Sequence, residues 1–215
     1  MTERRAAHAR VKAGVHNNTM NPTETSLRSA AAGYRARWGW EPKGNPSTRR
    51  RFVTPGDTYS QLVAFLDQHG AQYRLIDHAP EGRTEIVSPM RGNALSQAAK
   101  CIVLMVKLGK KVTKYVLAVV PGDARVDLNA VKAIMGGTYV SFASADIAER
   151  LAGSVAGTIL PFSFNPELTL VVDPSLLEND ELYFNAARLD RSMVLKTSDY
   201  VALAKPRFER IAALG

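Results

Sequence analysis

Residues 101–108 are apolar at every position except Lys107, and residues 115–120 repeat the pattern after a turn marked by Lys110 and Lys111. Runs of this kind have no polar face to offer water, so they read as strands covered on both sides. Two of them so close in sequence form a hairpin. The rest of the chain must then supply two covering layers. Asp57 stands where it caps a helix whose Leu62, Val63, Phe65 and Leu66 share one face, with Gly70 as its stop. Residues 73–78 alternate like a strand, and the alanine-rich stretch 88–99 is expected to be helical. Asp127 caps a short helix ending at Gly136-Gly137, and a second helix, 145–151, is stopped at Gly153. Residues 154–159, 168–172 and 193–195 read as strands, and residues 198–204 as a last helix that breaks before Pro206. Strands and helices mix without a regular strand–helix–strand rhythm. The expected class is therefore α+β, with a mixed, curled, barrel-like sheet flanked by helices.

Charge divides the chain in two. Residues 1–51 hold eleven Lys/Arg against three Glu, so the whole net charge of +8 resides there; residues 52–215 carry seventeen of each sign. The first segment also lacks an apolar period and contains Asn-Pro, Gly-Asn-Pro and an Arg triplet, which is linker composition. It is read as a basic, disordered extension, and residues 52–215 as one folded domain. A basic arm on a neutral body suits a polyanion partner, and equally a leader that binds nothing. Hydrophobic residues make up 46% of the 215, enough to give the body a core. No apolar run reaches the roughly 18 residues of a membrane helix, and the basic N-terminus has no apolar segment of a secretory signal. A cytoplasmic protein without a membrane partner is expected.

Several kinds of chemistry are missing. There is no glycine-rich phosphate loop, no Gly-x-Ser-x-Gly elbow and no dinucleotide fingerprint. The four histidines (His8, His16, His69, His78) lack metal-ligand spacing, and Cys101 is the single cysteine, with no histidine near it in sequence. Neither a metal nor another cofactor is expected, and Cys101 reads as a small core residue.

Two segments carry more information. Ala98-Ala99-Lys100-Cys101-Ile102-Val103-Leu104 sets a lysine at the mouth of the apolar strand, and Gly157-Thr158-Ile159-Leu160-Pro161-Phe162-Ser163-Phe164 is a Gly-x-x-x-Pro loop. A lysine so placed can cover apolar surface with its stem while its ammonium reaches a polar cleft. A glycine permits close backbone approach, and its N–H is free to meet a developing oxyanion. Together with Ser88-Pro-Met-Arg-Gly-Asn-Ala-Leu-Ser-Gln-Ala-Ala-Lys100, Phe184-Asn-Ala-Ala-Arg-Leu-Asp-Arg-Ser192 and Leu195-Lys-Thr-Ser-Asp-Tyr200, these segments resemble the YbaK and prolyl-tRNA-synthetase-associated editing family, and its YeaK branch in particular. The resemblance spans about residues 57–206 and leaves the extension unmatched.

The resemblance implies the YbaK-like fold and hydrolysis of the ester between an amino acid and the terminal adenosine of tRNA. That substrate is already activated, so positioning and oxyanion stabilisation outweigh the need for a strong base. On this reading Lys100 anchors the terminal nucleotide and the Gly157 N–H stabilises the oxyanion. Thr158, Ile159, Leu160, Pro161, Phe162 and Ser163 are candidates for the amino-acid pocket. His78 falls where the family often has a histidine, although a strand-end histidine is also an ordinary structural residue. Asn185 and Asp190 are candidate ligand contacts; Asp190, between Arg188 and Arg191, is equally placed for salt bridges. The YeaK-like blocks imply serine or threonine as the amino acid removed, with alanine or cysteine second. Partners would be the aminoacylated 3′ end of tRNA and, beyond it, an aminoacyl-tRNA synthetase. A tRNA- or synthetase-binding module without turnover is the alternative.

Overall fold

The computed structural model describes residues 58–214; the basic extension, residues 52–57 with the Asp57 cap, and Gly215 lie outside the described residues. The elements follow in the order α1 (Thr58–Gln68), β1 (Tyr73–Asp77), α2 (Thr84–Arg91), β2 (Ala99–Leu108), β3 (Val112–Pro121), β4 (Ala124–Val126), α3 (Leu128–Ile134), β5 (Tyr139–Phe142), α4 (Ala145–Ala152), β6 (Leu168–Val172), β7 (Glu181–Asn185), β8 (Arg191–Lys196), α5 (Thr197–Ala204), β9 (Arg207–Phe208) and β10 (Ala212–Leu214), with 3-10 turns at Leu95–Gln97 and Pro174–Glu178. The class is α+β with mixed sheets.

The hairpin β2–β3 is the centre of a five-stranded sheet in the order β5-β2-β3-β6-β9. Its pairing runs from Ala99 opposite Pro121 to Leu108 opposite Val112; β6 joins β3 in parallel and β9 joins β6 in parallel. Alternation along the two strands divides the interior. Ala99, Val103, Leu117 and Val119 face a larger core containing α1 and the second sheet, whereas Leu104, Val106, Val116, Ala118 and Val120 face a smaller core with Val131 and Ile211. Burial on both faces explains the unbroken apolar runs. Truncating Leu104 or Leu117, both fully buried, to alanine costs about 2–5 kcal/mol.

The second sheet, β1-β8-β7, is antiparallel, and β4 pairs with β10 beyond the end of β3. A single parallel bridge between Ala98 and Tyr183 joins the entrance of β2 to β7. Asp127 caps α3 as the sequence requires, its Oδ1 accepting from the Asn129 and Ala130 N–H groups at 2.8 and 3.1 Å. Gly153 follows α4 as its stop.

Two expectations need correction. The helix expected over 88–99 forms earlier, at Thr84–Arg91, and the chain turns at Gly92. Alanine's helix propensity loses here to pairing: Ala98 is taken by the bridge to Tyr183 and Ala99 by β2. Residues 154–159 are no strand. The Thr158 N–H donates to the Val155 carbonyl at 3.0 Å and closes a tight turn, which Gly157 makes possible. Strands β4, β5, β7, β9 and β10 went unforeseen, being short or edge elements with little periodicity to read.

Candidate active site

The entrance of β2 lies at the seam between the two larger sheets, and the seam opens into a cleft of about 240 Å³. Ala98, Ala99, Lys100 and Cys101 supply one side, β7 supplies Tyr183, Phe184 and Asn185, and Gly82–Glu85 with Val87, Arg91, Gly157 and Ile159 complete the lining. Sequence segments far apart in the chain thus converge on the residue the hairpin places first.

Lys100 pairs with Val120 across the hairpin and donates from Nζ to the Gly122 carbonyl at 2.8 Å. That seat exists because position 122 has no side chain. A Cβ there would stand 2.6 Å from the Leu95 carbonyl oxygen and 2.8 Å from Thr84 Cγ2. The backbone instead packs under the 3-10 turn, and the Gly122 N–H donates to Leu95 O at 3.1 Å.

Gly157 faces the cleft from the turn Val155–Thr158. Its φ of +83° is the value a type II turn needs at this position. Its Cα lies against Gly82, so that a Cβ would approach Gly82 Cα to 2.7 Å. The neighbouring amides are occupied: Ala156 N–H donates to Glu149 Oε1 at 3.1 Å and Thr158 N–H to Val155 O. The Gly157 N–H makes no hydrogen bond among the described residues and remains free to donate.

Asn185 also lines the cleft, but its amide is spent on the protein. Nδ2 donates to Glu81 O at 2.8 Å and to Gly157 O at 2.9 Å, and Oδ1 accepts from Ser192 Oγ at 2.9 Å. It therefore ties the two loops that flank the cleft to each other. His78 stands behind it, its Nε2 2.7 Å from Ser192 Oγ and its Nδ1 2.8 Å from Ala79 O. Neither His78 nor Ser192 lines the cleft, and Ser192 links His78 to Asn185 and Arg91, which do.

The structure brings together Lys100, Gly157, Ile159 and Asn185 of the residues expected at the site, and turns the others away. Thr158 is fully buried and donates to Val155 O. Leu160 and Phe162 belong to the larger core, where Phe162 packs edge-on against Tyr200 with ring centroids 5.3 Å apart. The Pro161 carbonyl accepts from Tyr200 Oη at 2.8 Å, and Ser163 Oγ donates to Leu168 O at 2.8 Å. Asp190 pairs with Arg188 at 2.8 Å, outside the cleft. Cys101 shares in the core and also forms cleft wall, and burial pushes its thiol well above its ordinary value. Arg91 was missed. It stands on the same face of α2 as Val87 and Ser88, and all three are buried, a face that shows only once the helix is placed at Thr84–Arg91.

Among the described residues there is no group of three or more His, Cys, Asp or Glu side chains placed to hold a metal ion, and no helix long and apolar enough to cross a membrane. The family model of the aminoacyl-tRNA editing domain matches residues 80–203, the span that builds the cleft. The chain belongs to the aminoacyl-tRNA editing domain family. Membership makes it a deacylase of the editing kind, an ester hydrolase acting on aminoacyl-tRNA. The multifunctional Ser/Thr-tRNA deacylase ProXp-y of Escherichia coli K12 is 45% identical over 150 residues, covering 69% of this chain and 89% of the relative. Two solved structures share the fold. A hypothetical protein has a TM-score of 0.64 at 21% identity, covering 71% of this chain and 99% of its own. A candidate trans-editing enzyme for prolyl-tRNA synthetase has a TM-score of 0.61 at 18% identity, covering 73% and 97%.

Proposed function

We propose that this protein removes serine or threonine from mischarged tRNA, with Lys100 and the Gly157 N–H as the groups that act on the aminoacyl ester. The observation that carries the reading is their convergence: Lys100 and Gly157, whose N–H makes no hydrogen bond among the described residues, line one small cleft with Arg91 and Glu85. The named relative, a Ser/Thr-tRNA deacylase at 45% identity, supports the choice of amino acid.

On this reading Lys100 leaves or shares its Gly122 seat to hold the terminal nucleotide. Water attacks the ester carbonyl carbon, and the oxyanion forms against the Gly157 N–H. The carbon–oxygen bond to the ribose then breaks, and the departing ribose oxygen takes up a proton. The attacking water's proton passes by way of the substrate's own hydroxyl or amine to that departing oxygen; of the described histidines, neither His69 nor His78 lines the cleft. Ile159, Phe184 and Cys101 form an apolar wall whose small volume turns away larger side chains. Asn185 and His78 act as positioning residues, and Thr158, Leu160, Pro161, Phe162, Ser163 and Asp190 support the loops without touching substrate. The partner is tRNA, handed over by the synthetase that mischarged it.

Single-turnover deacylation of Ser-tRNA by Lys100→Ala tests the assignment. The expected result is loss of most activity, at least about 100-fold, with an unchanged far-ultraviolet circular dichroism spectrum. Lys100→Arg should rescue poorly, because a planar fork does not replace a compact ammonium on the Gly122 carbonyl. Activity and fold lost together would make Lys100 a structural residue.

A further inference from the structure

Arg91 is the only buried arginine among the described residues, 8% exposed, and it is one of the residues that line the cleft. Its three hydrogen bonds go to neutral side chains: Asn93 Oδ1 at 3.1 Å, Ser88 Oγ at 3.2 Å and Ser192 Oγ at 3.3 Å. By contrast Arg74, Arg83, Arg188, Arg191 and Arg207 each pair with a carboxylate. These five lie at or near the surface, where charge is cheaply held in water, while the buried Arg91 has no counter-charge among the described residues. Desolvation pushes its guanidinium down to about 10. Burying an uncompensated charge is destabilising, so such a group is normally kept only where a partner completes it. Three of its five N–H donors are used, leaving one on each terminal nitrogen. A fork with both prongs available matches two oxygens of an anion.

We infer that Arg91 is the anion-binding group of the cleft and pairs, in the complex, with an anionic oxygen of the substrate. The inference rests on the deacylase reading for the identity of that substrate. Two oxygens of the aminoacylated tRNA end carry the required charge: a phosphodiester oxygen next to the terminal nucleoside, and the oxyanion that forms on the ester carbon. The surrounding network fixes the guanidinium for either task. Ser88 and Asn93 hold it within its own helix and turn. Ser192 connects it to Asn185, which in turn holds the Gly157 carbonyl. The fixed positive charge and the proposed oxyanion donor thus share one scaffold.

Inorganic phosphate serves as the probe. It should raise the melting temperature of the full-length protein and inhibit deacylation competitively, and Arg91→Gln should abolish both effects. In single-turnover deacylation Arg91→Gln should lower kcat/KM at least about 100-fold while its melting temperature without phosphate falls by no more than a few degrees. A loss confined to the half-saturating concentration assigns the phosphodiester oxygen; a loss in the saturating rate assigns the oxyanion. Ser192→Ala separates charge from scaffolding, and should keep the phosphate-dependent rise in melting temperature. The inference is overturned if Arg91→Gln keeps the phosphate response and deacylates within threefold of wild type, or if Ser192→Ala loses the phosphate response as completely as Arg91→Gln. A wild-type protein that shows the Arg91-dependent phosphate response but deacylates no tRNA would keep the anion site and remove the deacylase reading instead.

Discussion

Gly157 and Gly70 both have positive φ, +83° and +65°, yet they occupy opposite surroundings. A Cβ at Gly157 would stand 2.7 Å from Gly82 Cα and 3.0 Å from Gly82 O, whereas one at Gly70 meets nothing within 4 Å. Alanine at either site adds backbone strain of about 1–3 kcal/mol. Only at Gly157 must two backbones also separate, and those two backbones flank the cleft. Gly157→Ala should therefore lower single-turnover deacylation at least about tenfold, and Gly70→Ala should lower the melting temperature with deacylation per folded molecule intact. Equal activity in the two variants would remove Gly157 from the site. At this scale the positions of Lys100 and Gly157 on the cleft, though not their roles, were legible because each has a backbone reason for its place, the start of a buried strand and a close approach. Thr158 and Leu160 to Ser163 stand away from the cleft because adjacency in sequence says nothing of side-chain direction. After the turn at Gly157 only Ile159 faces the cleft, and its neighbours enter the core or bond the backbone.

The elements around the cleft are tied at their loops. Glu81 Oε1 accepts from the N–H groups of Gly82 and Arg83 at 2.9 and 2.8 Å, and its carboxylate pairs with the Arg83 guanidinium at 3.2 Å. These contacts, with Arg83 first, hold its carboxyl at about 2, below the ordinary 4.5. A carboxyl depressed on folding stabilises fully above its unfolded value, and that contribution fades as the pH falls from about 4.5 towards 2. In thermal melts at a series of pH values, the gap between wild type and Glu81→Gln should be constant above pH 5 and close as the pH drops through that window. A gap of constant size down to pH 2 would show that Glu81 does not order this loop. None of this was legible in the sequence. The anchor of the loop, Asn185, lies in β7, a strand that periodicity did not reveal, and its contact with Glu81 spans 104 positions. The hairpin β2–β3, α3 and β6 were legible because a doubly covered strand or a capped helix is written locally.

Across the whole molecule a second buried charge closes the architecture. Asp173 follows β6, and its carboxylate accepts from Ser175 N and Oγ at 3.0 and 2.6 Å and from the N–H groups of Ile211 and Ala212 at 2.8 and 2.7 Å. Burial pushes the carboxyl up, but these hydrogen bonds outweigh it and hold it below its ordinary value. The same residue thus fastens the central sheet to the segment that enters β10. Asp173→Asn should cost about 1–3 kcal/mol in urea unfolding, because an amide cannot accept from every donor the carboxylate serves. Full stability in that variant would contradict the fastening role. Unlike Arg91, Asp173 is completed by partners among the described residues, and the contrast separates a charge kept for the fold from one that awaits a ligand. The fold class was legible at this scale because the hairpin demanded two covering layers. The position of the cleft was not, since a seam made by one bridge between Ala98 and Tyr183 leaves no local signal. Deacylation of a panel of charged tRNAs by the wild-type protein shows whether this seam hydrolyses small aminoacyl esters on tRNA. Rapid release of serine and threonine is expected, with larger amino acids left in place; a panel in which neither Ser-tRNA nor Thr-tRNA is hydrolysed faster than its spontaneous rate would contradict that reading.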